Sequence, residues 1–156
     1  MSQADFPRWK AAISQLLFDS MRINFPNYEI DVSYCNAKCA EIDTYLKDNK
    51  AIIYLAVSEG ALLGWIWLHE IRRVKTKRLH VAEIAIVSSV RGKGVGTRLL
   101  QVAESYAKDH GYAEMDLLVT ESNSKAIQFY EKANYVSERR LMKKTLEPNL
   151  SASQMR

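Results

Sequence analysis

Cysteine is rare in this chain of 156 residues. It has only two cysteines, Cys35 and Cys39. They stand four apart with no second pair and no histidine close by, so they neither supply the roughly four ligands of a zinc site nor build a disulfide framework. No metal is expected. Two reduced thiols on one helix face are the expected reading, and a reducing cytoplasm the expected compartment. No stretch approaches the ~18 apolar residues of a membrane span. The opening Met1-Ser2-Gln3-Ala4-Asp5 lacks the basic region and apolar run of a secretory leader, so no membrane partner is expected. A strong excess of one charge is missing too. The formal net charge is +4, from 22 basic and 18 acidic residues, which is too small to imply a nucleic-acid partner. No repeat, low-complexity tract or linker interrupts the chain. With 47% hydrophobic and 26% charged residues, it reads as one globular domain with a real core.

Glycine is scarce as well, at six residues, yet half of them fall in one turn, Arg91-Gly92-Lys93-Gly94-Val95-Gly96. Glycines there let backbone N–H groups approach a ligand with no Cβ in the way. A helix begins at the same point, so its unpaired N–H groups and the positive end of its dipole face the same spot. Arg91 and Lys93 add charge. Together these features describe a phosphate cradle.

The rest of the pattern alternates in period. Asp5 to Asn24 reads as a helix with Pro7 in its first turn and Trp9, Ala12, Ile13, Leu16, Leu17, Ser20 and Met21 at helical spacing. A second helix is expected from Asn36 to Asp48, with Cys39, Ile42, Tyr45 and Leu46 inward. Residues 51–58 and 62–71 read as strands joined by a Glu59-Gly60 turn. A third strand, 78–87, follows the basic turn 72–77. Then come the glycine turn, a helix over 95–110 stopped by Gly111, a strand over 115–120, and a short helix capped by Ser122 or Asn123. A last strand or pair of strands is expected over 135–146, and 147–156 reads as a frayed tail. Hairpins followed by a strand–helix–strand crossover predict a mixed sheet in a single α/β or α+β domain.

Three glycine-rich patterns hold phosphates. A P-loop needs Gly-Lys followed by Ser or Thr, and here the lysine precedes the glycine. A Rossmann turn needs a third glycine where Thr97 stands, and a dinucleotide fold continues for more βα units than the sixty or so residues left allow. The remaining pattern is Arg/Gln-x-x-Gly-x-Gly/Ala after a strand, met here by Arg91, Gly94 and Gly96. With EIAIV at 83–87 before it and NSKAIQFYEKANY at 123–135 after it, residues 51–146 resemble the GCN5-related N-acetyltransferase (GNAT) family.

The resemblance implies the acyl-CoA N-acyltransferase fold, a mixed, mostly antiparallel sheet flanked by helices. Residues 1–146 would form one N-acetyltransferase domain, with the helices of 5–48 on the substrate side and 51–146 as the acetyl-CoA-binding core. It also implies acetyl-CoA as cosubstrate and an amine as acceptor. The pyrophosphate would lie on the N–H groups of Gly92, Lys93, Gly94, Val95, Gly96 and Thr97, beside Arg91. The pantetheine arm would pair with Ala85, Ile86 and Val87, and Asn123 would bond it. Asn134-Tyr135 stands where the family usually has Gly-Phe; asparagine tolerates the left-handed conformation needed after a helix.

Acetyl transfer from a thioester needs a base for the amine, donors for the oxyanion and a proton for the thiolate. Tyr130 matches the tyrosine that similar enzymes place beside the coenzyme sulfur, and phenol and thiol pKa values differ by only ~1.5 units. Glu83 is the base candidate. Strand alternation puts it on one face with Val81, Ala85 and Val87, and a carboxylate inside a sheet is costly unless solvated, paired or used. A salt bridge is the competing explanation. His80 and Asp116 are weaker candidates. An N–H near Ile86 or Val87 is the expected oxyanion donor.

The acceptor is less legible. Trp9, Phe25, Tyr28, Tyr34, Trp65 and Trp67 line a cleft or fill the core. The basic run Arg72, Arg73, Lys75, Lys77 and Arg78 attracts an acidic acceptor or is a solvated turn. The acidic residues lie mostly toward the N-terminus, so a cationic acceptor stays open. A catalytically silent CoA-binding module on the same fold is the rival function. A homodimer is compatible with the sequence but not required by it.

Overall fold

The structure is a computed structural model, and it describes residues 1–146. The expected tail at 147–156 lies outside the described residues. Eight main elements follow in order: α1 (Phe6–Asn24), α2 (Val32–Lys47), β1 (Ile52–Ser58), β2 (Ala61–Arg72), β3 (Lys77–Ile86), α3 (Val95–Asp109), β4 (Met115–Leu117) and α4 (Ser124–Lys132). The strands form one sheet in the order β1-β2-β3-β4. The first three are antiparallel and β4 runs parallel to β3. The mixed, mostly antiparallel sheet flanked by helices is as the sequence predicts.

β2 shows why the helices lie on both faces. Trp65, Ile66, Trp67 and Leu68 are all buried, and with period two they alternate between faces. Trp65 and Trp67 join Ile13, Leu17, Cys39 and Ile42 under α1 and α2. Ile66 and Leu68 join Leu99, Leu100, Ala103 and Ala107 of α3. Both cysteines are free and buried in the first cluster. The Glu59-Gly60 turn has two positive φ angles, 50° and 77°, the geometry that closes a tight hairpin with the twist of its strands.

Three expectations are corrected. α2 begins at Val32 rather than Asn36, because the Asp31 carboxylate accepts the Tyr34 N–H at 2.9 Å and starts the helix there. β4 ends at Leu117, three residues short of the expected end. Residues 135–146 form no strand. Charged pairs break their apolar pattern, leaving Val136, Leu141, Met142 and Leu146 exposed. Side chains fasten this segment instead: Glu138 pairs with Arg78, and Lys143 donates to the Tyr28 hydroxyl.

A fourth correction bears on the site. Glu83 pairs with Trp67 but Val81 pairs with Leu68, so β3 carries one extra residue, Ala82. Such a bulge reverses the alternation beyond it. Val81 therefore packs with Leu79 and Leu99 on the α3 side, not on the face of Glu83 and Ala85 as simple alternation predicts.

Candidate functional site

The glycine turn sits where β3 hands over to α3. Gly92 and Gly94 have φ of 77° and 83°, values that side-chain-bearing residues rarely adopt. Gly94 is the N-cap of α3 and has no side chain to satisfy the helix start. The first helical bond is Arg98 N–H to Gly94 C=O at 2.9 Å. The N–H groups of Val95, Gly96 and Thr97 precede it and project from the helix end without an intrahelical acceptor. Lys93 N–H is turned to Val90 C=O at 3.3 Å, so it is spent within the turn, while the Lys93 side chain is exposed. Arg91 Nε donates to Ile86 C=O at 3.0 Å, bracing the turn against the end of β3. Gly96 serves a different purpose. A Cβ there would lie 3.4 Å from Phe129 Cζ and 3.6 Å from Ile86 Cγ1, so its smallness brings α3 close to α4 and β3.

Below the turn the sheet opens. β3 and β4 are paired only from Leu79↔Met115 to Val81↔Leu117. From Ala82 on, β3 keeps β2 on one side and has no strand on the other. Val87 N–H bonds Leu63 C=O at 2.9 Å. Antiparallel alternation then turns the N–H groups of Ile86 and Ile84 toward the open edge. Of the two oxyanion candidates, Ile86 thus presents its N–H to the cleft while Val87 spends its own on β2. Ala85 is turned inward, with its side chain buried under α1 and α2.

Glu83 stands at the start of this open edge. Burial pushes its carboxyl up to about 7; Lys38 pulls the other way and Glu41 adds to the rise. Tyr130, on α4, lies in the same neighbourhood. Burial raises its hydroxyl well above the usual phenol range, and Tyr135 and then Glu83 raise it further. Its ring packs 5.2 Å from Phe129 and 5.8 Å from Tyr135. The Tyr130 hydroxyl thus feels the Glu83 charge, although 47 residues separate them in sequence. Tyr130 is held protonated and Glu83 is poised to change state near neutrality.

Asn123 caps α4, its Oδ1 accepting Ala126 N–H at 3.1 Å, and its Nδ2 donates to Asn24 Oδ1 at 2.7 Å. It joins the end of α1 to the helix that carries Tyr130. His80 and Asp116 are directly paired on adjacent strands, with Nδ1 2.6 Å from Oδ1. Arg73 reaches the same carboxylate at 2.7 Å; burial works to raise the Asp116 carboxyl, but the bonds to His80 and then Arg73 outweigh it and hold it below the usual carboxylate range. That accounts for both structurally. Most of the basic run is likewise engaged: Arg73 with Asp116, Lys77 with Glu70, and Arg78 with Glu114. Trp65 and Trp67 belong to the core, whereas Phe25, Tyr28 and Tyr34 are exposed around the α1–α2 connection. Lys38 was not legible as a site residue, whereas Glu41 is one of the N-terminal acidic residues that leave a cationic acceptor open. The signal for Lys38 was α2 periodicity, which puts it in line with Tyr34 and Tyr45 on the flank of the buried stripe.

Among the described residues no cluster of three or more acidic, histidine or cysteine side chains is placed to hold a metal, and no helix is long and apolar enough to cross a membrane. A groove of about 320 Å³ leads away from the turn between Thr97, Leu100 and Gln101 of α3 and Phe129 and Lys132 of α4.

The sequence profile of the acetyltransferase (GNAT) family matches residues 11–135. The chain belongs to that family. Curated relatives include an N-alpha-acetyltransferase of Sulfurisphaera tokodaii, 32% identical over an alignment of 100 residues that covers 58% of this chain and 60% of the relative. An uncharacterized N-acetyltransferase of Bacillus subtilis is 30% identical over 92 residues, 58% of this chain and 62% of the relative. The matched region thus spans about three-fifths of the length of these relatives. Solved structures share this fold. A Bacillus halodurans protein, determined as a tetramutant, superposes with a TM-score of 0.77 at 15% identity over 94% of this chain and 97% of the other. An aminoglycoside N-acetyltransferase in complex with CoA gives 0.70 at 15% identity, covering 95% and 92% of the two chains.

Proposed function

We propose that this protein is an acetyl-CoA-dependent N-acetyltransferase, in which a primary amine attacks the thioester directly while both substrates are bound. The observation that carries the reading is the parting of β3 from β4 after Val81, which leaves an open strand edge running from beside Glu83 to the glycine turn at the start of α3.

Each part has a task. The N–H groups of Gly92, Gly94, Val95, Gly96 and Thr97, with the side chains of Arg91 and Lys93, hold the pyrophosphate. The open edge of β3 takes the pantetheine amides as an added strand would be taken. Ala85 and Val87 set the register of that edge, and Asn123 fixes the start of α4 beside it. The Ile86 N–H stabilises the oxyanion. Glu83, directly or through a water, removes the amine proton. Attack forms the C–N bond and the oxyanion; collapse of that intermediate breaks the C–S bond, and Tyr130 gives its proton to the leaving thiolate and regains one from solvent. The Glu83 carboxyl near 7 suits a base working at neutral pH.

The test is release of free thiol from acetyl-CoA against a panel of amines, including peptide N-termini, lysine, polyamines and aminoglycosides. Turnover with at least one amine, reduced in both Tyr130→Phe and Glu83→Gln, supports the reading. Turnover untouched by either variant removes their roles. Tight CoA binding with no turnover on any amine would instead favour a silent binding module.

A further inference from the structure

On the face of Glu83, α2 brings a cation to the sheet. Lys38 Nζ lies 2.8 Å from Glu41 Oε2 and 5.5 Å from the centre of the Trp67 ring. Trp67 is itself the register partner of Glu83. Tyr45 meets the Trp67 ring edge-on at 5.3 Å. An ammonium thus rests by an aromatic ring, with one carboxylate as its partner and the candidate base one strand away. Tyr130 approaches Glu83 from α4, whereas Lys38 comes from α2. The ammonium therefore lies on the α2 side of the sheet, by the ring that Glu83 faces across β2 and β3.

We propose that Lys38 holds the acceptor's place: Glu41, Trp67 and Glu83 form a cation subsite, and the acceptor is a primary amine on a flexible alkyl stem that arrives as the ammonium and displaces Lys38. The proposal rests on the acetyltransferase reading and names its substrate class.

The parts differ in firmness in the way this requires. Trp67 is 1% exposed and fixed in the core. The Lys38 and Glu41 side chains are 26% and 43% exposed, and ion pairs so open to solvent are weak and easily exchanged. Lys38 has a four-carbon flexible stem and an exit to solvent. Burial works against its charge, but Glu41 and then Glu83 outweigh it and keep the ammonium charged. A compact ammonium satisfies the same partners. An amine with a carboxylate on the adjacent carbon is repelled by Glu41 and Glu83, so alkylamines are favoured over α-amino acids.

The experiment uses the full chain and n-butylammonium as probe, its binding read from Trp67 indole NMR shifts without coenzyme. Lys38→Met should bind the probe about fivefold more tightly than wild type, the loss of one competing cation. Lys38→Arg, which keeps the charge and guards against a folding defect, should show no gain. Adding Glu41→Gln to Lys38→Met should abolish it. In turnover the KM for n-butylamine should fall in Lys38→Met, and glycine should be a poor acceptor. Equal or weaker probe binding in Lys38→Met overturns the proposal, as does acetylation of glycine as efficient as that of n-butylamine. Probe binding and turnover, read separately, distinguish the two ideas. Tighter probe binding in a protein that acetylates nothing keeps the cation subsite and rejects the enzyme. Turnover indifferent to Lys38 keeps the enzyme and rejects the subsite.

Discussion

Trp67 and Glu83 face each other across β2 and β3 at the point where β3 takes in its extra residue. The bulge falls one residue beyond Val81, the last residue of β3 that pairs with β4. One insertion thus does two things: it turns the carboxylate onto the α2 face and coincides with the opening of the sheet. The carboxyl is pushed up to about 7 because burial outweighs the pull of Lys38. A base must be deprotonated to work, so kcat/KM should rise as pH increases through about 7 and level off above it. Glu83→Gln should lower the plateau by about 10²-fold and remove that limb. A wild-type profile flat from pH 5 to 8 would remove Glu83 from the role.

The same shift has a stability consequence of opposite sense. The folded pKa lies above the unfolded value, so the favourable protonated state is fully available below about 4.5 and its benefit is lost as pH rises through about 7. Glu83→Gln should therefore melt higher than wild type at pH 8 and at about the same temperature at pH 4. Thermal melts at the two pH values decide it.

Tyr130→Phe removes the hydroxyl but keeps the ring that packs on Phe129 and Tyr135. Stability should change little, while kcat falls by about 10²-fold for an amine acceptor. Coenzyme affinity, measured by calorimetry, should stay within about threefold of wild type. A large loss of affinity with unchanged kcat would recast Tyr130 as a binding residue.

Gly94→Val forces a β-branched residue into φ of 83°, at a cost of about 1–2 kcal/mol. No atom lies within 4 Å of the added Cβ, so the fold should survive with a lower melting temperature. Coenzyme binding should be lost, because the turn that aims the helix N–H groups is redrawn. Normal affinity in calorimetry would refute the cradle.

Gly64→Ala tests the wall behind the open edge. Its Cβ would lie 2.6 Å from Ile86 Cδ1 and 2.9 Å from Ala85 C=O. The Ile86 methyl can turn away but the carbonyl cannot, so β2 and β3 must separate. A loss of about 1–3 kcal/mol in denaturant unfolding is expected, with weaker coenzyme binding because Ile86 lines the cleft.

Much of this was legible in the sequence because it depends on local chemistry. The turn at 91–96 declares its conformation through glycine, and Asn134 was expected in a left-handed conformation and has φ of 64°. The helices and hairpins follow from their apolar periods. What stayed hidden depends on long-range pairing. Nothing in LHVAEIAIV marks Ala82 as the extra residue, since the bulge exists only relative to Trp67 and Leu68. Lys38 was hidden for a similar reason: its meaning comes from Trp67 and Glu83, which only the fold brings to it.

The three glycines of the turn divide between two kinds of need. Gly92 and Gly94 answer a torsional one, and nothing occupies the space beside them. Gly96 answers a spatial one set by Phe129 and Ile86, with no unusual backbone angle. Their tolerance to change should differ accordingly. Asparagine is the mildest replacement at the first two positions and alanine at the third. The spacing of such a turn is rigid, but its alphabet is not, and a search demanding glycine at all three places would pass over chains that build the same cradle.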